Sequence, residues 1–388
     1  MQAVILAAGE SSRFWPLNYQ QKDLFKMMGK PLICHTIEGL KKAGIKDIIV
    51  IQGPQKNIEA EFKNYDLGIS IKYIVQPEPK GMGDAIMKAQ ELVSGPFFVM
   101  AGHKVNAGDY IKKMKEKKEE VVLLGSKTNQ PWLYGILEIE GDKVRDLIEK
   151  PEKGKEPSDI RLSSLYLLPP SFFEYHKKAP EDHYSFEKTL SFYIKEEKAG
   201  VFVAEEDSIS LKYPWHLFSI AKYLLEKNLG REKVYIGKNV KIFKGAVING
   251  PCYIGDNCVV GNNTLIRGYT NLEEGSMAGA LSEVARCIFQ KNVHVHSGYF
   301  GDSIFGENCR VGAGTVTGNI RLDREEIKET GLNSLGAIVG KETKIGINCS
   351  LMPGILIGSH CVVGPGSVVF ENIESNKTFC TKFNNETK

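Results

Sequence analysis

The sequence of 388 residues predicts an α/β chain in two parts, a mixed sheet with helices on both faces followed by a parallel β-helix of hexapeptide repeats. Three observations predict it. Val339, Ile345, Leu351, Ile357, Val363 and Val369 stand six apart, and Ile236, Ile242, Ile248, Ile254, Val260, Ile266 and Leu272 keep the same period. An aliphatic or aromatic residue followed by glycine recurs in phase with that period, as in Ile236-Gly237, Ile254-Gly255, Val260-Gly261, Phe305-Gly306, Val339-Gly340 and Ile357-Gly358. Upstream of the repeats, short apolar runs alternate with segments of helical spacing.

Each element follows from its residues. Ala3 to Ala8 is a short apolar strand ending at Gly9. Leu32 to Ala43 has helical spacing, Ile48 to Ile51 returns to strand, and Ile71 to Val75 and Phe97 to Met100 continue the alternation. Tyr110 to Glu120 is lysine-rich and predicts a helix with a solvated face. Pro214 to Glu226, with proline in its first turn, predicts the helix that closes the first domain. The domains are therefore placed at 1–229 and 230–388, and a chain with 42% apolar residues can bury two cores. In the second domain each hexapeptide is read as one coil, with glycine at the corners because a small residue turns sharply. On that reading Cys252 and Cys258 stack in successive coils, and with no Cys-x-x-Cys pair the cysteines predict a reduced stack rather than a metal site.

Bulk properties exclude several function classes. The formal charge is +3 with both signs interspersed, so there is no footprint for nucleic acid. No stretch approaches the roughly 18 apolar residues of a spanning helix. Met1-Gln2-Ala3-Val4 enters a strand with no signal peptide, and a cytoplasmic protein without membrane contact is expected. Trimers are common among such prisms.

Chemistry is suggested at two places. Leu6-Ala7-Ala8-Gly9-Glu10-Ser11-Ser12-Arg13 follows a strand, so its backbone N–H groups can converge on phosphate oxygens while Arg13 adds a guanidinium; an ordinary strand-to-helix loop is the alternative. His294, His296 and Tyr299 interrupt the repeats, and a neutral imidazole can take a proton from an attacking amine near pH 7. His296 is the candidate base, with an outward polar face as the alternative.

Leu6-Ala7-Ala8-Gly9, Arg13, Pro16, Lys22, Gly29-Lys30-Pro31-Leu32-Ile33 and Ala43-Gly44-Ile45, joined to the hexapeptide half, resemble the bifunctional sugar-1-phosphate nucleotidylyltransferase and glucosamine-1-phosphate N-acetyltransferase family in its archaeal form, over roughly residues 2 to 370. The resemblance implies a nucleotidylyltransferase-like domain and a left-handed β-helix. It implies that Leu6, Ala8 and Gly9 hold a nucleoside triphosphate or nucleotide sugar, that Gln76 and Gly81 face the base, and that Arg13 and Lys22 neutralise charge at the reacting phosphate. Glu149 and Lys150 would approach the sugar-1-phosphate. Two aspartates expected to hold Mg2+ are replaced by His103 and Ser210, leaving Asp84 or Asp109 as displaced carboxylates. Ser11, Ser12 and Gln21 also depart from the family pattern.

For the second half, the resemblance implies acetyl-CoA as substrate and a trimer or dimer of trimers. It implies His296 as base, Tyr299 and Asn319 at the acetyl-transfer site, Ala313 beside the coenzyme arm and Arg267 on the sugar phosphate. Ala285 stands where a lysine is expected, with Arg286 adjacent; Arg310 replaces an asparagine, and Lys328 corresponds to a substrate lysine beside an insertion at Leu322 to Thr330. The expected function is acetyl transfer to the amine of glucosamine-1-phosphate or a related amino-sugar phosphate. The alternatives are sugar-1-phosphate nucleotidylyl transfer, or a regulatory subunit that binds nucleotide sugar and partners an active relative.

Overall fold

The computed structural model describes residues 1–180, 182, 184–205, 209–328 and 330–382. By packing, the chain forms two compact units, one of Met1–Glu10 with Leu32–Ser210 and one of Ser11–Pro31 with Leu211–Lys388. The sequence places the boundary at 229/230, whereas the helix Leu217–Leu229 and an early segment, Ser11–Pro31, pack with the repeats.

The first unit is built on a nine-stranded sheet. In chain order its elements are β1 (Gln2–Ala7), α1 (Leu32–Lys42), β2 (Asp47–Gln52), α2 (Asn57–Phe62), β3 (Ser70–Val75), α3 (Met82–Met87), β4 (Phe97–Ala101), α4 (Ala107–Lys115), β5 (Val121–Lys127), β6 (Gly135–Glu140), β7 (Lys143–Glu149), β8 (Ile160–Leu168), α5 (Phe172–His176), α6 (Ser185–Lys195) and β9 (Ala199–Ala204). Strand order is β3-β2-β1-β4-β8-β5-β9-β7-β6, with β1, β2, β3 and β4 parallel and β8 antiparallel to both neighbours, so the sheet is mixed as expected. Alternate residues of the central strands, such as Val4, Ile49 and Val99, bury against Ile86, Phe172, Phe186 and Leu190 from α3, α5 and α6. Each such aliphatic side chain contributes on the order of 1.5–3 kcal/mol. The lysine-rich helix is shorter than its sequence suggested, ending at Lys115, with Lys112, Lys113 and Lys115 exposed.

The second unit contains three parallel sheets, the faces of a prism. Face I starts at Val234–Ile236, face II at Lys241–Ile242 and face III at Val247–Ile248. Lys241 pairs with Val259 and Val247 with Leu265, so one coil is 18 residues, three hexapeptides, and not the single hexapeptide read from the sequence. Cys252 and Cys258 therefore belong to one coil rather than to successive ones; both are free and buried. The recurring aliphatic residues, Ile254, Val260, Ile266 and Leu272 among them, fill the prism. Ile236 and Ile242, in the first coil, are half exposed because no earlier coil covers them.

The glycines act differently from expectation. A Cβ on Gly255 would lie 2.9 Å from Glu274 N and one on Gly340 2.6 Å from Ser359 N, so these positions admit the backbone of the next coil. The left-handed turn falls two residues after such a glycine, at Asn239, Asn257 and Asn308 with φ between 55° and 60°, at Glu342 after Gly340 with φ 57°, and at His360 after Gly358 with φ 58°. Asparagine tolerates that region better than other side chains.

The Ser11–Pro31 segment is tied to the corner that follows face I. Asn271 Oδ1 accepts from Met28 N at 2.9 Å, and the Glu273 carboxylate from Gly29 N at 3.1 Å. Gln290 Nε2 donates to Lys26 O at 2.9 Å, and Glu307 N to the Tyr19 hydroxyl at 3.4 Å. Asn271, Glu273 and Gln290 are almost completely buried, and so are Phe14, Leu17, Phe25 and Met27 of the segment.

Candidate functional site

In the first unit the C-terminal ends of β1 and β4 lie side by side, where Gly102 N donates to Leu6 O at 3.1 Å. Ligands of open α/β sheets bind outside such strand ends. Leu6 is the penultimate residue of β1, and Ala8 and Gly9 follow the strand; a Cβ on Gly9 would meet nothing within 4 Å, so open space faces that backbone. Gln76, by contrast, is 4% exposed and donates to Asp84 Oδ2 at 2.7 Å and to Gly81 O at 3.2 Å; it fastens the start of α3. Glu149 ends β7, and with Lys150 it lines a cavity of about 470 Å³ that also touches Tyr184 and Lys188.

The expected metal position does not suit magnesium. His103 is buried and Ser210 half-buried, and neither supplies a carboxylate. Asp84 is occupied by Gln76 and lies 3.5 Å from Lys88, while Asp109 sits in the first turn of α4. Among the described residues no group of three or more His, Cys, Asp or Glu is placed to hold a metal ion. The side chain next to His103 was missed in the sequence: Lys104 is 1% exposed and its ammonium donates to Ile209 O at 2.8 Å.

Arg13 and Lys22 lie in the segment that packs with the prism. Arg13 is exposed in a short 3-10 turn, and Lys22 donates to Leu211 O at 3.3 Å. Burial, and after it the Arg13 charge, push the Lys22 ammonium below its ordinary pKa, against the opposing pull of Asp23.

In the prism, His296 stands at the corner between faces II and III and is exposed. His294 is held, its Nε2 3.1 Å from Gly275 O, and burial followed by the Arg310 charge lowers its pKa, so it is neutral at neutral pH. Tyr299 points from face III, paired with Glu283 on one side and Val316 on the other. Ala313 sits one coil beyond Ser297, where Gly314 N donates to Ser297 Oγ at 3.2 Å.

At the far corner of face III, Arg286 and Asp302 stack on successive coils, both with left-handed backbone, φ 52° and 45°. The Asp302 carboxylate accepts from Arg286 Nη2 at 2.8 Å and from Asn319 Nδ2 at 2.6 Å, and from the Ser334 hydroxyl. Burial opposes its ionisation, but these hydrogen bonds outweigh burial and hold its pKa below the ordinary value. Arg267 donates to Glu283 Oε1 at 2.9 Å. Arg310 turns to the carbonyls of Asn292 and Cys309 and borders a cavity of about 550 Å³ with Lys344, Glu342 and His360. Lys328, with φ 47°, donates to Gly354 O at 3.1 Å, so the expected substrate lysine fastens the insertion to a later coil. The structure thus gathers Tyr299, Asn319, Arg267 and Arg286 along face III and its far corner, with His296 at the near one, and leaves Arg310 on face II.

Residues 2–216 match the nucleotidyl transferase family model, and residues 233–268 and 336–371 the six-repeat bacterial transferase hexapeptide model. The chain is 31% identical to the bifunctional protein GlmU of Methanocaldococcus jannaschii, covering 98% of each chain. It belongs to the bifunctional GlmU family. A GlmU-family relative from Sulfurisphaera tokodaii, a bifunctional sugar-1-phosphate nucleotidylyltransferase/acetyltransferase, is 29% identical over 98% of this chain and 100% of its own. Two solved structures share the fold of the first part. A putative glucose-1-phosphate thymidylyltransferase from Bacillus anthracis covers 57% of this chain and 94% of its own at a TM-score of 0.51 and 22% identity. A UDP-glucose pyrophosphorylase covers 58% and 99% at 0.52 and 18%. GlmU-family membership makes the chain a transferase of nucleotidyltransferase and hexapeptide type. Among the described residues no helix is long and apolar enough to cross a membrane.

Proposed function

We propose that the chain transfers acetyl from acetyl-CoA to the amine of glucosamine-1-phosphate or a related amino-sugar phosphate. The observation that carries this reading is the division of labour on face III: an exposed imidazole at one corner, and at the other a carboxylate that orders Arg286, Asn319 and Ser334 around Tyr299. His296 takes the proton from the sugar amine as its nitrogen attacks the thioester carbonyl. The tetrahedral intermediate then expels the CoA thiolate, which is protonated as it leaves. Arg267 and Arg286 each have five N–H donors, so pairing with Glu283 and Asp302 leaves others for a sugar phosphate. Half-buried on its corner, Ala313 suits passage of the coenzyme arm, in a homotrimer whose neighbouring prisms flank face III.

The first unit is read as a nucleotide or nucleotide-sugar site, on the open backbone at Gly9 beside Gly102. The deciding experiment for acetyl transfer is CoA-thiol release with acetyl-CoA and glucosamine-1-phosphate. Sugar-dependent release that falls by about 100-fold or more in His296→Ala is expected. Undiminished release in that variant removes His296 from the reaction.

A further inference from the structure

We propose that face II of the prism carries a site for a small phosphate-bearing ligand, built on Arg310 and Lys344 and separate from the residues assigned to face III. Its basis is a like-charge pair that the fold leaves without a counter-ion. Arg310 and Lys344 are register partners on adjacent parallel strands, so their side chains leave the same side of the sheet. Like charges directly opposite one another destabilise a sheet. Neither side chain meets a carboxylate among the described residues, and the exposed Lys344 has no hydrogen-bond partner there at all.

Other cations of the same prism are matched. Lys291 lies 2.9 Å from Glu274, Arg286 is held by Asp302, and the Lys341 ammonium stands 5.6 Å from the centroid of the Tyr19 ring. Arg310 is instead set in place by two backbone carbonyls, those of Asn292 and Cys309, which both accept from Nη1. The N–H groups of Nε and Nη2 are thereby left for a ligand, on a guanidinium whose position is already fixed.

The pair opens on a cavity of about 550 Å³, within the size range of small-molecule sites, which Asn308, His360, Val362 and Glu342 also line. Glu342, the one carboxylate among these, lies 3.4 Å from His360 Nδ1. Two unmatched positive charges suit a dianion. A carboxylate would neutralise only one of them, and a metal ion would be repelled by both. Guanidinium and ammonium are also the side-chain groups that bind phosphate oxygens, the first as a fork and the second as a point charge. The site begins one coil beyond His294 and extends through the coil of Lys344 to that of Val362, a run of roughly 10 Å at about 4.8 Å per coil. Two molecules already invoked carry a phosphate ester, coenzyme A at its nucleotide end and the amino-sugar phosphate.

The test is calorimetric titration of the full-length protein and of Lys344→Gln, at constant ionic strength, with coenzyme A, coenzyme A lacking its 3′-phosphate, glucosamine-1-phosphate and glucosamine. The expected result is that one phosphate-bearing probe binds about tenfold or more tighter than its phosphate-free counterpart, and that this gap closes in Lys344→Gln. A gap that closes for coenzyme A gives the site to the nucleotide end, and one that closes for glucosamine-1-phosphate gives it to the sugar phosphate. If neither pair shows a gap, or no gap closes in the variant, the site is overturned. Thermal unfolding of Lys344→Gln guards against a folding defect. Because the substitution removes one of two opposed charges, its midpoint is expected to match or exceed that of the wild type; a lower midpoint removes the repulsion from which the inference starts. The readout is binding, so failure of acetyl transfer in the CoA-release assay and failure of this site are separate results.

Discussion

At the residue scale the two histidines of one strand end have different fates. His294 is fixed by Gly275 O and kept neutral by burial, whereas His296 is exposed at the corner. His294→Gln is expected to leave sugar-dependent CoA release within about threefold of wild type, against the collapse expected for His296→Ala. Asp302 governs the opposite corner. Its depressed pKa means that it stabilises the fold above the ordinary aspartate pKa, and that this contribution is lost as pH falls through the lowered value. Thermal unfolding of Asp302→Asn should show a deficit of about 1–3 kcal/mol at neutral pH that narrows on acidification; a pH-independent deficit would contradict that sign. The sequence exposed His294, His296 and Tyr299 as interruptions of the repeat. It could not show the Asp302 pairing, because the left-handed turns that bring Arg286 and Asp302 together depend on the 16-residue offset between their coils.

At the element scale the repeat was legible and its meaning was not. Hexads of Ile, Val and Leu announce an inward stack, but the period of one face is a third of a coil, and only the 18-residue pairing distinguishes the two. Glycines after the aliphatic residue were read as turn formers, yet the turn is made two residues on, by Asn257, Asn308, Glu342 or His360, whose φ no side-chain pattern records. Two alanine substitutions separate space from conformation. Gly340→Ala would press against Ser359 N and is expected to cost about 1–3 kcal/mol in chemical denaturation. Gly9→Ala meets nothing and should unfold like wild type while weakening nucleotide binding. Near the start of the chain, Gly29 has φ +77° and the Tyr253 hydroxyl 2.6 Å from where its Cβ would stand, which explains a glycine the sequence recorded only as part of a family signature.

On the scale of the whole molecule, contiguity in sequence misleads. Strands β5 to β9, the antiparallel β8 among them, were not located in the sequence, but the four parallel strands were readable from their alternation with helices. The grouping of Ser11–Pro31 with the repeats was not, because Asn271, Glu273 and Gln290 lie more than 240 residues away from the backbone they bind. Residues 1–229 alone would lack every one of those partners, so limited proteolysis is expected to cut such a fragment between Ser11 and Pro31 while sparing that stretch in the full chain; equal resistance would deny the anchoring. For recombination between relatives, the heritable module is then discontinuous. A chimera joined at 229/230 brings a foreign 11–31 segment to a corner shaped for Met28 and Gly29, and compatibility at Asn271 and Glu273 sets which exchanges survive.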